Sequence, residues 1–300
     1  MHYRNFRKFA GCTLAAALLL LTGCGGGPNA PTPDPHEGQV QVLYGSKGYV
    51  WTGLQEGVPV STFETAEFVP DGQYMTYTGT DYTTMAGIDV SEHQLEIDWE
   101  QAAENGVEFA IIRAGYRGST EGDLYTDEYF HRNMEGAIDA GIKVGTYFFS
   151  QATTRAEAVA EAHYLLKLME DYEDHITMPV VFDWEETGMS DARTATMTGD
   201  QVTGCAEAFC EVIAEAGYEP GVYFNRTMGY YQYDFTDLAQ YTMWFAAPGE
   251  FPDFYYRHTL WQYSFTGQIP GIPTDVDLDL YFIPNIVETA PKAEGVTAES

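Results

Sequence analysis

The sequence predicts an α/β fold, a barrel of parallel strands whose last part has lost its helices. Between Met85 and Asn225, short apolar runs alternate with amphipathic helical stretches. Runs that are apolar throughout are buried on both faces, as in a parallel sheet covered by helices. After Asn225, YTMWFAA, TLWQYS and VDLDLYF still read as strands, with little helix between them. Eight strands with five crossover helices suit a barrel; a doubly wound open sheet is the competing arrangement. No Gly-rich phosphate loop follows an early strand, which counts against a nucleotide-binding version of that sheet.

The chain opens with an export signal. Arg4, Arg7 and Lys8 form its basic start, and Ala10 to Leu21 is an apolar stretch too short to span a membrane. It ends in Leu21-Thr22-Gly23-Cys24, which looks like a bacterial lipobox with Cys24 as the lipidated first residue of the mature chain. An ordinary cleaved signal and an uncleaved anchor are the alternatives. Diacylation of Cys24 would give stable anchoring. The protein is then exported and lipid-anchored on the outer face of the cell membrane, facing the wall. Residues 1–23 are the signal and 24–38 a Gly/Pro-rich linker. Residues 39–84 are a β-rich extension without nameable chemistry, either a small subdomain or a strap on the main domain. The barrel takes 85–286 and a tail 287–300.

Within the barrel, AGIDVS is the first strand, and DWEQAAENG is a helix closed by Gly106. The strand VEFAIIRAG follows, then a helix over about 127–140 with Gly141 as its stop. IKVGTYFFS precedes a long helix at 154–170, and MPVVFDWE is the fourth strand. A helix capped by Thr198 runs to Gly217, and PGVYFN completes the regular part.

Composition removes several function classes. The chain has 14 Lys+Arg against 45 Asp+Glu, a net charge of −31, so it lacks the basic surface that binding of nucleic acid or anionic lipid heads needs. With 15% aromatic residues it is not a disordered chain. Cys205 and Cys210 lie five apart in a helical stretch, beyond disulfide reach, and read as free or buried thiols. His131, His163, His175 and His258 lack metal-ligand spacing, and no Ser-His-Asp or Cys-His set can be assembled. No cofactor or metal is expected, and the chain reads as a monomer.

The chemistry is carried by carboxylates at strand ends: Asp89 in GIDVSEHQ, Asp183 and Glu185 in VVFDWEE, and Asp277 in VDLDLY. In a parallel barrel such ends converge on one mouth. Asp183 and Glu185 are two apart, so on a strand both point the same way. Two adjacent acids repel, which leaves one protonated beside an ionised partner. Cleavage of a glycosidic bond uses that pair, an acid for the leaving oxygen and a carboxylate for the developing positive charge. A DxE in so acidic a chain can also be a solvated face, and Asp277, between Asp275 and Asp279, can belong to a cation site or a plain acidic loop.

These blocks, in order, resemble the glycoside hydrolase family 25 muramidases, the Chalaropsis-type lysozymes. The likeness spans roughly residues 85–284 and rests on GIDVSEHQ, FAIIRAGY, GAIDAGIKVGTYFFS, MPVVFDWEE, GVYFN and WQYS with VDLDLYF. It implies an irregular TIM-like (βα)5β3 barrel. It also implies cleavage of the β-1,4 bond between N-acetylmuramic acid and N-acetylglucosamine in peptidoglycan, by acetamido participation or direct water attack. By the same resemblance Glu185 is the general acid, and Asp183 orients the N-acetyl group or stabilises the forming charge. Asp89 lines the floor and Asp277 is the fourth acid. The chain departs from the family pattern at Phe148, often His, at Ala247-Pro248, usually Ala-x-Tyr, and at Asp279, often Asn.

Sugar rings stack on aromatic faces. Tyr147, Tyr223, Trp184 and Trp244 are the candidate substrate contacts, with Trp261 beside them; for Trp244 and Trp261 a core role competes. Arg113 can be a structural counter-charge to the acids or a contact for a muramyl lactate or stem peptide. His93 reads as a surface-loop residue. The competing functions are a non-catalytic wall-glycan-binding lipoprotein on the same fold, and a barrel hydrolase of another polysaccharide.

Overall fold

The computed structural model describes residues 34–44 and 47–285. The signal, Cys24, most of the linker and the tail from 287 lie outside the described residues. Gly38 separates an N-terminal unit, of which residues 34–38 form a turn, from the unit Gln39–Ser300.

Two antiparallel hairpins open the second unit. They are β1 (Gln39–Leu43) with β2 (Tyr49–Gly53), and β3 (Phe68–Asp71) with β4 (Tyr74–Tyr77). Next comes β5 (Tyr82–Val90), followed by helix α1 (Trp99–Glu104), β6 (Phe109–Arg117), the short β7 (Leu124–Thr126) and α2 (Phe130–Asp139). The chain continues through β8 (Lys143–Ser150), α3 (Arg155–Met169), β9 (Ile176–Trp184), α4 (Gly199–Glu215) and β10 (Pro220–Asn225). Two short helices follow, α5 (Arg226–Tyr231) and α6 (Phe235–Leu238), before β11 (Thr242–Ala246), β12 (Leu260–Gly267) and β13 (Val276–Pro284).

Eight of these strands close on themselves in the order β5-β6-β8-β9-β10-β11-β12-β13, with β13 returning to β5, while β7 hangs on the edge of β6. Closure excludes the open doubly wound sheet. Neighbours are parallel from β5 round to β12, but β13 is antiparallel to both β12 and β5. That reversal corrects one expectation. Asp277 reaches the mouth from the N-terminal end of its strand, because a strand joined to β12 by a tight connection must run back.

Local signals set the helix ends. The Thr198 hydroxyl accepts from the Gln201 amide and the Gln201 side chain answers to Thr198, a reciprocal cap. Gly141 and Gly217 sit at φ +76° and +91°, where a Cβ would be strained. The expected helix over 127–140 begins only at Phe130, because the Asp127 carboxylate is spent on a turn and accepts from the Tyr129 amide at 2.9 Å. Phe109, Ile111, Met178, Val181 and Leu260 fill the barrel interior, and a larger cluster lies between strands and helices. Cys205 and Cys210 are both free and buried on α4.

The barrel begins with β5 at Tyr82, three residues before the expected boundary, and the described residues from 39 to 81 form a strap. Among the described residues no α-helix covers β12 and β13, and alternation turns Trp261, Tyr263 and Phe282 outward there. The strap covers them instead. Phe63 stacks on Phe282 with ring centroids 4.2 Å apart, Phe68 meets Trp261 edge-on at 5.4 Å, and the Met75 amide donates to the Tyr263 hydroxyl at 3.2 Å. Gln55 is held from both ends: its Nε2 donates to the Tyr233 carbonyl at 2.8 Å, and its Oε1 accepts from the Phe235 amide at 2.6 Å. Trp261 therefore belongs to the core under the strap.

Candidate active site

Each of the eight barrel strands sends a side chain into a single cavity at the mouth. They are Asp89 (β5), Arg113 (β6), Tyr147 (β8), Asp183 (β9), Tyr223 (β10), Trp244 (β11), Gln262 (β12) and Asp277 (β13), and β8 adds a second, Phe149. Glu185, one residue past β9, shares the cavity, whose volume is about 220 Å³. All four acids singled out by the sequence meet there. The period-2 alternation of β9 accounts for Asp183 and Glu185 facing inward together and for Trp184 between them facing out. Trp184 is 2% exposed and packs in the outer core, so it does not line this cavity. Phe148 is likewise buried on the outer side of β8, and its ring meets that of Tyr164 from α3 at 6.2 Å.

The acids differ in exposure. Asp89, Asp183 and Asp279 are buried, whereas Glu185 and Asp277 are partly open to solvent. Gln262 ties two of them together. Its Nε2 donates to Asp89 Oδ2 at 2.6 Å and to Asp277 Oδ2 at 3.2 Å, while its Oε1 accepts from the Tyr223 hydroxyl at 2.9 Å. Asp277 faces Asp89 directly across the β13–β5 ladder. No side-chain hydrogen bond holds the Glu185 carboxyl among the described residues, so it is free to meet a ligand.

Burial raises the pKa of every acid in this group. For Asp89 the charge of Asp277 adds to it, for Asp183 that of Glu185, and for Glu185 that of Asp277. Asp277 is pushed up to about 6. Among the described residues no cation is bonded to these carboxyls. Arg113 lines the cavity, but its Nε is bonded to Asp127 Oδ2 at 2.7 Å and its Nη2 lies 3.2 Å from Glu92 Oε1. It acts on Asp183 only through space. Its bonded partners are therefore Asp127 and Glu92 in place of the four acids, while it still lines the cavity.

The aromatic wall is built from Tyr147, Tyr223 and Trp244. Trp244 meets Tyr223 edge-on at 5.0 Å and Tyr147 at 6.2 Å. Its indole N–H donates to Asp279 Oδ1 at 2.8 Å, so it is both core and lining. His93 sits exposed at the rim, on a one-turn 3-10 helix capped by Ser91. Sequence reasoning missed Gln262 and Asp127. A lone polar residue between outward-facing Trp261 and Tyr263 was the available sign for Gln262. Asp127 carried no comparable sign, since its partner lies on another strand.

The arrangement can hold a proton on one carboxyl next to ionised neighbours, beside aromatic faces. Comparison with known proteins agrees with that chemistry. The glycosyl hydrolases family 25 profile matches residues 88–272. Lysozyme M1 of Streptomyces globisporus is 28% identical over 278 residues, covering 87% of this chain and 84% of that protein. The N,O-diacetylmuramidase of a Chalaropsis species is 26% identical over 193 residues, covering 60% and 88%. The structure of the modular autolysin LytC from Streptococcus pneumoniae superposes with a TM-score of 0.60 at 22% identity, over 82% of this chain; the match spans 57% of LytC. With a family match over more than half its length, this chain belongs to the glycosyl hydrolases family 25 and is a glycoside hydrolase.

Proposed function

We propose that the protein is an N-acetylmuramidase that cleaves the β-1,4 bond between N-acetylmuramic acid and N-acetylglucosamine in peptidoglycan, from a barrel of the irregular (βα)5β3 kind. The observation that carries this reading is the convergence of Asp89, Asp183, Glu185 and Asp277 on one aromatic-walled cavity. Relatives that bear the names lysozyme and N,O-diacetylmuramidase support the choice of substrate.

Glu185 is the general acid. Its carboxyl is the more open of the DxE pair, has no competing hydrogen bond, and has its proton held by burial and by the charge of Asp277. It gives that proton to the bridging oxygen as the C1–O bond breaks, and positive charge builds on C1 and the ring oxygen. Asp183, fixed below on β9, assists by orienting the N-acetyl group or stabilising that charge. Water then completes the new C1–OH, and its proton restores Glu185. Asp89 and Asp277, joined through Gln262, keep negative charge beneath the site. Tyr147, Tyr223 and Trp244 give the sugars a wall.

The proposal includes export and attachment to the membrane through lipid on Cys24, with the barrel facing the wall and acting as a monomer. Blocking lipoprotein signal cleavage should retain the precursor; unchanged processing would remove the anchor. Mass spectrometry of digested peptidoglycan tests the activity. Fragments should end in reducing N-acetylmuramic acid, and none should form with Glu185→Gln. Fragments ending in N-acetylglucosamine would refute the bond assignment.

A further inference from the structure

Asp279 is a fifth carboxyl, buried below those that line the mouth, and none of the steps above uses it. It lies two residues beyond Asp277 on β13, on the same inward face, pairs with Gly87 across the ladder, and is fully buried. Its Oδ1 accepts the Trp244 indole N–H at 2.8 Å. Its Oδ2 has no donor among the described residues. Asp277 pairs with Asp89 and Asp279 with Gly87 across the ladder, so the carboxyl diagonal to Asp279 on the same inward face is that of Asp89 on β5. Two buried carboxylates cannot face each other across that gap without a proton between them.

We propose that Asp279 is a positioning residue that stays protonated and donates its O–H to Asp89. Asp89 then accepts from two sides, from Asp279 and from Gln262, and stays ionised in one orientation under the DxE pair. The surroundings of Asp279 agree from every strand that packs on it. β5 brings Asp89, its own strand brings Asp277, β12 brings Gln262, with the Tyr263 phenol acting only through space from the outer face, and β11 brings Trp244; none is a cation. Burial, with the charge of Asp89, holds its pKa well above the usual carboxylate range.

The catalytic part of the test rests on the muramidase reading; the spectroscopic part does not. Infrared difference spectra of wild type against Asp279→Asn at neutral pH should show the loss of one protonated-carboxyl C=O stretch. No lost band would mean that Asp279 is ionised and would overturn the proposal. In activity, Asp279→Leu should lower kcat/KM about tenfold, since Asp89 loses a donor to a charged group, and should move the acid limb of the pH profile upward. Asp279→Asn should restore activity to within about twofold of wild type, because an amide accepts from Trp244 and donates to Asp89 as the neutral acid does. If both variants instead move the limbs downward alike, the removed group was a negative charge and the proposal fails. Should wild type itself prove inactive on peptidoglycan, the functional reading falls while the infrared band still decides the proton.

Discussion

Two carboxylate clusters lie close together in this molecule and have opposite company. In the mouth, Asp89, Asp183, Glu185 and Asp277 meet, with Asp279 buried one step deeper on β13, and among the described residues no cation is bonded to any of them. Beside it, where the loop after β6 meets α3, the acids are paired. Arg117 Nε binds Glu161 Oε1 at 2.6 Å, Ser150 donates to the other Glu161 oxygen at 2.6 Å, and Arg193 Nη2 binds Glu157 Oε1 at 2.6 Å. Glu157 shows what pairing does. Partial burial pushes its pKa up, yet Arg193 and Thr153 pull it down to about 2. Glu161 shows the limit. Its burial wins over Ser150 and Arg117 and leaves it at about 7. The scarce cations are spent on holding loops, and the mouth keeps acids that hold protons. A reactive site and a structural one thus differ less in their acids than in where the arginines go.

The largest way to break this contrast is Glu185→Gln. Loss of the general acid should cost about a thousandfold in turnover on peptidoglycan while wall binding persists and the fold is not weakened. A binding protein would keep its effect on walls, which reducing-end release would show.

Next in size is Arg117→Met, which takes the cation from the paired cluster. It should destabilise the fold by about 3 kcal/mol in urea unfolding, because Glu161, the Gly122 loop carbonyl and the Glu157 carbonyl in the first turn of α3 lose their donor. The loss should grow as pH rises above about 7, where Glu161 must ionise unpaired.

Asp183→Asn should do the reverse in the unpaired cluster. The Asp183 pKa is raised on folding, so its ionised form costs stability at neutral pH, a cost absent below its unfolded value. The variant should be more stable than wild type by about 1 kcal/mol near neutral pH, with the gain vanishing toward pH 4, and nearly inactive. Equal stability at all pH values would show that Asp183 bears no such cost.

The smallest effect is that of Asp277→Asn on the pH profile. Asp277 helps to raise the Glu185 pKa, so its removal should lower the alkaline limb of kcat/KM, and an unmoved limb would show that Asp277 does not act on Glu185.

Much of this was legible in the sequence. Apolar runs marked the barrel strands, and inward carboxyls at their ends marked Asp89, Asp183, Glu185 and Asp277. The rest depends on partners that no local pattern names. Trp184 faces outward by strand alternation, a consequence readable in DWE and yet at odds with its place between two acids. Gln262 gains its role only when β12 stands between β10 and the acids of β5 and β13. Trp261 and Phe282 needed a cover that a helix would have supplied, and the strap from residue 39 supplies it from far away in sequence. The sense of β13 was likewise hidden, since a strand reads the same in both directions.

The central claim is that an unpaired acid cluster keeps a proton on Glu185. Carboxyl carbon NMR of the selectively labelled protein, with Glu185→Gln to assign the signal, measures it directly. The account predicts a titration midpoint above the ordinary 4.5 of a glutamate, coinciding with the alkaline limb of kcat/KM. A midpoint at or below 4.5 would contradict it.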